Sequence, residues 1–282
     1  MKPVGRLRSL LFAPAVRPDF IEKLPDRGAD AVVIDCEDAT PANAKADARA
    51  NARRMAPSLA AVGCQVFVRV NGLTTEWFAD DVAQGLCPDL TGVVIPKIEA
   101  VDGVEMISAA LDAAGVPELG ILAGIETALG VADARALLRH PRVVAAYFGA
   151  EDFIADMGGA RTEGNAEVAY ARSSVALAAR LAGVPVIDQI VADFRNDARF
   201  EREAAEARAL GYAGKLCIHP GQVTIANSAF VPSADEVARA RRLLAAYESS
   251  ATAGIAAIDF EGQMVDEPLA AQARRVIALA DP

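Results

Sequence analysis

Several side chains able to do acid, base or metal chemistry follow short apolar runs in this chain. They are Asp35 with Glu37 and Asp38, Arg69, Lys97, Glu126, Glu151 with Asp152, and His219. A buried strand reads as a continuous apolar run, and an α/β fold places its site at the C-terminal strand ends. Glu126 and Asp152 follow consecutive runs, and two carboxylates with retained water suit an octahedral Mg²⁺ or Mn²⁺ site, because hard cations take oxygen ligands. The competing reading makes Glu126 a helix cap and pairs Asp152 with an arginine. Arg69 could clamp a substrate carboxylate or a developing enolate, or bridge to Glu37 or Asp38, which could also hold the arginine in place. Lys97 and Lys215 are candidate Schiff-base lysines if burial lowers their pKa, with ion pairing as the alternative for Lys97 in so acidic a mouth. The N–H groups of Gly149, Ala150 and Glu151 could face a substrate carboxylate, with the Glu151 side chain ordering water.

The runs that would position these groups are Arg8–Pro14, Ala31–Asp35, Gln65–Val70, Gly92–Lys97, Leu119–Glu126, Val143–Phe148, Pro185–Asp188 and Gly214–His219. Helical patterns lie between them, from Pro18 to Arg27, Ala42 to Met55, Val101 to Ala114, Ala128 to Arg139, Ala166 to Ala182 and Arg199 to Leu210. Strand–helix alternation over about eight units predicts an α/β fold closed as a (β/α)₈ TIM barrel over residues 1–230, with an open doubly wound sheet as the alternative. No G-x-G-x-x-G follows the first strand, which weakens the dinucleotide-binding form of that alternative. Residues 231–282 exceed what a barrel requires and predict a C-terminal helical arm or lid, with helices near Ala234 to Tyr247 and Glu267 to Leu279.

Composition narrows the function class. With 282 residues, 53% hydrophobic and 23% charged, the chain reads as globular, and no apolar run is long enough to span a bilayer. The net charge of −10 disfavours a general nucleic-acid role. Cys36, Cys64, Cys87 and Cys217 form no C-x-x-C pair, and no signal peptide is read at the N-terminus, so a cytoplasmic protein with free thiols and a small-molecule partner is expected.

The ordered set Arg8-Ser9-Leu10-Leu11-Phe12-Ala13-Pro14, Asp35-Cys36-Glu37-Asp38-Ala39, Val68-Arg69-Val70-Asn71, Pro96-Lys97-Ile98-Glu99, Ile125-Glu126-Thr127-Ala128, Gly149-Ala150-Glu151-Asp152-Phe153 and Ile218-His219-Pro220 resembles the HpcH/HpaI aldolase and citrate lyase β-subunit family. The resemblance implies a TIM barrel holding Mg²⁺ through Glu126 and Asp152, with Arg69 on an α-keto acid or its enolate partner. It places a coenzyme A thioester against Phe12, Arg17 and Lys23, with Ile218 and His219 beside them. Gly262-Gln263-Met264-Val265-Asp266 matches the family's C-terminal motif and makes Asp266 the acid/base lent to a neighbouring subunit, hence a homo-oligomer, a trimer or hexamer. By itself Asp266 also suits an N-cap of the last helix. The activity implied is carbon–carbon cleavage or formation of a malyl-CoA or citramalyl-CoA type β-hydroxyacyl thioester. A complex-bound citrate lyase β-like subunit using an acyl-carrier thioester and a thioesterase are the alternatives. Ala15-Val16 replaces the glycine and small polar residue of many relatives, which leaves another thioester or a free acid open.

Overall fold

The computed structural model describes residues 1–252 and 255–280. Eight parallel strands, β1 (Ser9–Pro14), β2 (Ala31–Asp35), β3 (Gln65–Arg69), β4 (Gly92–Ile95), β5 (Gly120–Ile125), β6 (Val143–Phe148), β7 (Val186–Asp188) and β8 (Gly214–Cys217), close in sequence order, β8 returning to β1. The open-sheet alternative is thereby excluded. Every strand is followed by at least one helical segment, as the alternating pattern requires. Among the described residues no helix is long and apolar enough to cross a membrane.

Strand pleat decides what enters the barrel, because alternate side chains face opposite sides. Leu10, Ala31, Val33, Phe67, Val94, Leu122, Ala145, Tyr147, Ile187 and Leu216 pack together as the barrel interior. Continuing the same alternation by one or two steps brings Phe12, Asp35, Arg69, Glu126, Gly149 and Ile218 to the C-terminal mouth. Register then sets neighbours: Asp35 lies directly opposite Arg69 across the β2–β3 ladder.

The helices depart from the sequence pattern where proline acts. The first predicted helix is a turn over Pro18–Ile21 followed by a 3₁₀ segment, Leu24–Arg27, because Pro25 lacks the N–H that a continuous α-helix would use. The next helix, Lys45–Ala61, instead runs past Met55 and through Pro57, with Met55, Ala56 and Leu59 buried beneath it. Burial of that face outweighs one missing hydrogen bond.

A polar cluster stands outside the interior, between the barrel and its helices. Lys215 on β8 is fully buried, and its ammonium donates to Asp188 Oδ2 (2.7 Å) and the Gln189 carbonyl (2.9 Å). Arg172 grips the same aspartate through two N–H groups, and Glu203 lies 3.6 Å from Lys215. Buried charges persist only when paired and hydrogen-bonded, as these are. The Schiff-base reading of Lys215 fails here, since its amine is sealed behind the strand.

The chain divides into two units, Met1–Asn227 and Ser228–Pro282. Of the expected extension 231–282, residues 253–254 and 281–282 lie outside the described residues. The second unit pairs the helix Ala234–Thr252 with the helix Glu267–Ala280 around Leu243, Tyr247, Val265 and Ala270. Between them an antiparallel hairpin joins Ile258–Phe260 to Gln263–Val265, strands that no alternating pattern in the sequence announces. Its two-residue turn, Glu261-Gly262, has both residues in the left-handed region that such hairpins require.

Replacing Lys215 with alanine leaves two buried carboxylates short of a cation. The expected loss is roughly 3 kcal/mol of stability or more, read as a lower urea midpoint at unchanged denaturant slope. An unaltered midpoint would show that the cluster carries no net stabilisation.

Candidate active site

The acidic loop after β2 is assembled before it can act. Asp35 is 2% exposed, and its carboxylate accepts from the Glu37 N–H (2.9 Å) and the Ala39 N–H (3.3 Å), closing the loop on itself. Lys45 clamps the loop from behind, donating to the Cys36 and Glu37 carbonyls and to Asn71 Oδ1. Two buried side chains therefore spend their polarity holding backbone in place.

Arg69 ends β3 and meets Asp35 fork to fork, Nε on Oδ1 and NH2 on Oδ2, both at 2.7 Å. Its third nitrogen lies 3.0 Å from Glu37 Oε2 and 3.9 Å from Asp38 Oδ2, and its guanidinium carbon sits 5.1 Å from the centre of the Phe12 ring. Burial opposes its charge, but Asp35, Tyr147 and Glu37 more than compensate and hold its pKa well above the ordinary value. The expected pairing with Glu37 and Asp38 is thus secondary. Asp35, to which no partner was assigned from sequence, is the principal one.

Glu126 follows β5 and is 2% exposed. Its Oε1 accepts from the Lys97 N–H and the Tyr147 hydroxyl, each at 2.9 Å, while Oε2 lies where a Cβ on Gly149 would collide with it. A Cβ on Gly124 would in turn meet the Tyr147 hydroxyl oxygen at 2.5 Å. Two glycines make the room in which one carboxylate and one phenol lie. Burial, then the charges of Glu37 and Asp152, push the Glu126 pKa up to about 7. Glu126 does not cap the following helix; Thr127 does, its Oγ1 accepting from the Gly130 N–H at 3.0 Å.

Asp152 lies in the first turn of the helix Ala150–Asp156, half-exposed, with Oδ1 3.3 Å from the Lys97 ammonium. Lys97 also donates to Glu37 Oε1 at 2.9 Å. Burial lowers its pKa, but Glu37, Glu126 and Asp152 together raise it above the ordinary lysine value. A Schiff-base amine needs the opposite shift, so ion pairing is the outcome for Lys97.

Arg69, Glu126, Asp152, Phe12, Tyr147, Ala150, Glu151 and Ile218 line one cavity of about 390 Å³ at the mouth. A larger cavity of about 690 Å³ lies alongside, lined by Glu37, Lys97, Trp77, Leu73 and Met106, and shares Asp38 with the first. The chemistry concentrates in the smaller one. Its carboxylates offer only oxygen, and Glu126 is buried with no cation of its own within hydrogen-bonding distance, so the donor set fits a hard divalent ion that keeps several waters. Among the described residues no group of three or more His, Cys, Asp or Glu could hold a metal ion.

Other expected residues lie differently. The Gly149 N–H donates to the Ile125 carbonyl at 3.2 Å, so it does not face a ligand; the parallel β5–β6 ladder continues one residue beyond the strand and takes it. Ala150 and Glu151 remain in the first helical turn, whose N–H groups have no intrahelical acceptor. The Glu151 carboxylate is held by Arg161 at 3.0 Å. Arg17 is exposed, paired to Asp19 at 2.7 Å and stacked 3.7 Å over the Phe20 ring, with Lys23 exposed near the same aspartate. The exposed His219 stacks on Phe194 at 5.1 Å and accepts the Gly221 N–H. In the second unit the Asp266 carbonyl accepts from the Ala270 N–H at 3.0 Å, the backbone position of an N-cap.

Tyr147 went unassigned in the sequence because it sits inside an apolar run. The signal available was its inward parity with Gly149 and Ala145. Comparison with known proteins places this arrangement. A family model described as HpcH/HpaI aldolase/citrate lyase matches residues 8–220. A citrate lyase subunit beta-like protein of Deinococcus radiodurans is 50% identical over 98% of this chain and 98% of its own. The human mitochondrial citramalyl-CoA lyase is 28% identical over 97% of this chain and 85% of its own. The crystal structure of CitE from Mycobacterium tuberculosis in complex with magnesium, acetoacetate and coenzyme A superposes with a TM-score of 0.85 at 31% identity, covering 100% of both chains. The barrel, its acidic mouth and the match across most of the sequence make this chain a member of the HpcH/HpaI aldolase/citrate lyase family.

Proposed function

We propose that the protein is a Mg²⁺-dependent carbon–carbon lyase that cleaves, or forms in reverse, a β-hydroxyacyl-CoA of the malyl-CoA or citramalyl-CoA type, giving an acyl-CoA and an α-keto acid. The observation that carries this reading is the meeting of Glu126, Asp152 and Arg69 in one small cavity: an oxygen-only pair for a hard cation beside a fixed guanidinium. The magnesium-, acetoacetate- and coenzyme A-bound relative supports the same assignment.

Glu126 and Asp152 would hold the ion, which when bound supplies Lewis-acid stabilisation of negative charge on oxygen. Arg69 supplies permanent positive charge where charge develops, and its fork on Asp35 fixes that charge before substrate arrives, so no reorganisation is needed during reaction. The N–H groups of Ala150 and Glu151 orient the keto-acid carboxylate. Phe12 and Ile218, with other apolar residues of the cavity wall such as Ile190 and Leu216, exclude water, while Arg17, Lys23 and His219 offer polar and cationic contacts to the coenzyme A moiety. In the condensing direction Asp266, contributed by a neighbouring subunit of a trimer or hexamer, removes the proton α to the thioester; in cleavage it returns one there. An acid lent by another subunit completes the site only when that subunit closes on bound substrate.

A second reading has the chain as a citrate lyase β-like subunit acting on an acyl-carrier thioester, which the name of the Deinococcus relative favours. Hydrolysis of the same thioester is a third outcome. Purified protein incubated with Mg²⁺, acetyl-CoA and glyoxylate or pyruvate is expected to yield the condensed thioester by mass spectrometry. Free acid instead of thioester would identify a thioesterase, and activity only in a stoichiometric complex with partners would establish the subunit reading. Arg69→Lys keeps the charge but loses the fork; the expected fall in kcat is about 100-fold with substrate KM little changed. Full activity in that variant would remove Arg69 from the mechanism.

The Glu126 pKa of about 7 sets a pH dependence. A divalent ion competes with the proton, so Mn²⁺ affinity measured by calorimetry rises with pH up to about 7 and levels off above it. The stability linkage has the opposite slope. The folded protein retains a proton that the unfolded chain releases near 4.5, so this group's contribution is full below 4.5 and is lost as pH rises through about 7. The melting-temperature difference between wild type and Glu126→Gln, measured without metal, should therefore shift toward the variant across that window. A pH-independent Mn²⁺ affinity over the same range would refute the assignment of Glu126 as a ligand.

A further inference from the structure

One residue reaches all three carboxylates around the candidate metal position. Lys97 has φ 52°, a left-handed conformation that side chains other than Gly, Asn and Asp rarely adopt. The peptides on either side hold it there: Pro96 fixes the entry, and the Ile98 N–H donates to the Gly124 carbonyl at 3.1 Å. The result is a backbone N–H on Glu126 Oε1 (2.9 Å) and a side chain whose ammonium lies 2.9 Å from Glu37 Oε1 and 3.3 Å from Asp152 Oδ1. Residues held in sparsely populated backbone regions cluster at functional sites, where the surrounding structure over-determines them.

The ammonium also stands at a boundary. Lys97 and Glu37 line the 690 Å³ cavity, whereas Glu126 and Asp152 line the 390 Å³ one. An ion coordinated by Asp152 would sit beside this ammonium, and repulsion between cations is strong in a half-buried mouth. The lysine stem is long and flexible, and the larger cavity gives the ammonium somewhere to go while it keeps Glu37.

We propose that Lys97 is a positioning residue, a resident counter-cation that a divalent ion displaces from Asp152 toward Glu37, so that metal and keto acid bind as a coupled pair. The inference rests on the metal assignment made above. Metal alone has to evict the ammonium and gains no new anion. Metal with a keto acid brings a carboxylate that offsets the added positive charge, and by linkage each tightens the other by the same factor.

The test is Mn²⁺ binding, followed by electron paramagnetic resonance, with and without pyruvate. In the wild type pyruvate is expected to tighten Mn²⁺ by about tenfold or more, and Mn²⁺ to tighten pyruvate equally. Lys97→Met should bind Mn²⁺ alone about tenfold more tightly and lose most of the pyruvate effect, while Lys97→Arg restores the wild-type pattern. Equal or weaker Mn²⁺ binding by folded Lys97→Met, with the pyruvate effect intact, overturns the proposal; so does a wild type in which pyruvate leaves Mn²⁺ affinity unchanged, a measurement that stands even if the methionine variant misfolds. Asp152→Ala separates the two levels. Mn²⁺ binding that survives this substitution, or its absence from the wild type under both conditions, brings down the metal assignment and this inference together, whereas Asp152-dependent binding insensitive to Lys97 brings down only the latter.

Discussion

The fork between Arg69 and Asp35 is the constraint on which the mouth depends. Asp35, Glu37 and Glu126 are all buried, and removing a carboxylate from water costs several kcal/mol even after relaxation. Only a matched geometry recovers that cost, and the planar guanidinium of Arg69 supplies it to Asp35 through two nitrogens, while its third lies 3.0 Å from Glu37 Oε2 without a hydrogen bond to it. Glu126 receives hydrogen bonds but no such partner, and burial pushes its pKa up to about 7; burial raises that of Glu37 as well. Asp35 is thus balanced by Arg69, whereas Glu126 has no ion-pair partner among the described residues.

Register enforces this division. Asp35 and Arg69 are ladder partners, so any slip of β3 against β2 by one residue would send the arginine outward among the helices. The barrel closes through eight such pairings, and the mouth groups inherit their positions from interior residues two or four places earlier in the same strands. Geometry at the site is in this sense a continuation of the hydrophobic core.

Much of this was legible from the amino-acid order. The apolar runs announced the strands, and the charged residues terminating them, Arg69 and Glu126 above all, stood out because a core would not choose them. Legibility failed where a residue's job depended on tertiary neighbours. Tyr147 is masked by its own apolar run, and the partner of Arg69 proved to be Asp35 rather than the loop acids because strand pairing decides it. Gly149 suggested an N–H donor, yet its N–H is absorbed by the ladder and its value lies in having no side chain. The Glu261-Gly262 hairpin escaped notice because its strands are three residues each and carry little periodicity.

Gly124 and Gly149 also bear on how such a site can be surveyed. Both positions act by omission, accommodating the phenol of Tyr147 and the carboxylate of Glu126 within van der Waals reach of the backbone. Alanine, the customary neutral probe, is here the intruder, and a survey built on truncation would pass over two positions with no side chain to remove. What these two positions contribute to the mouth is room.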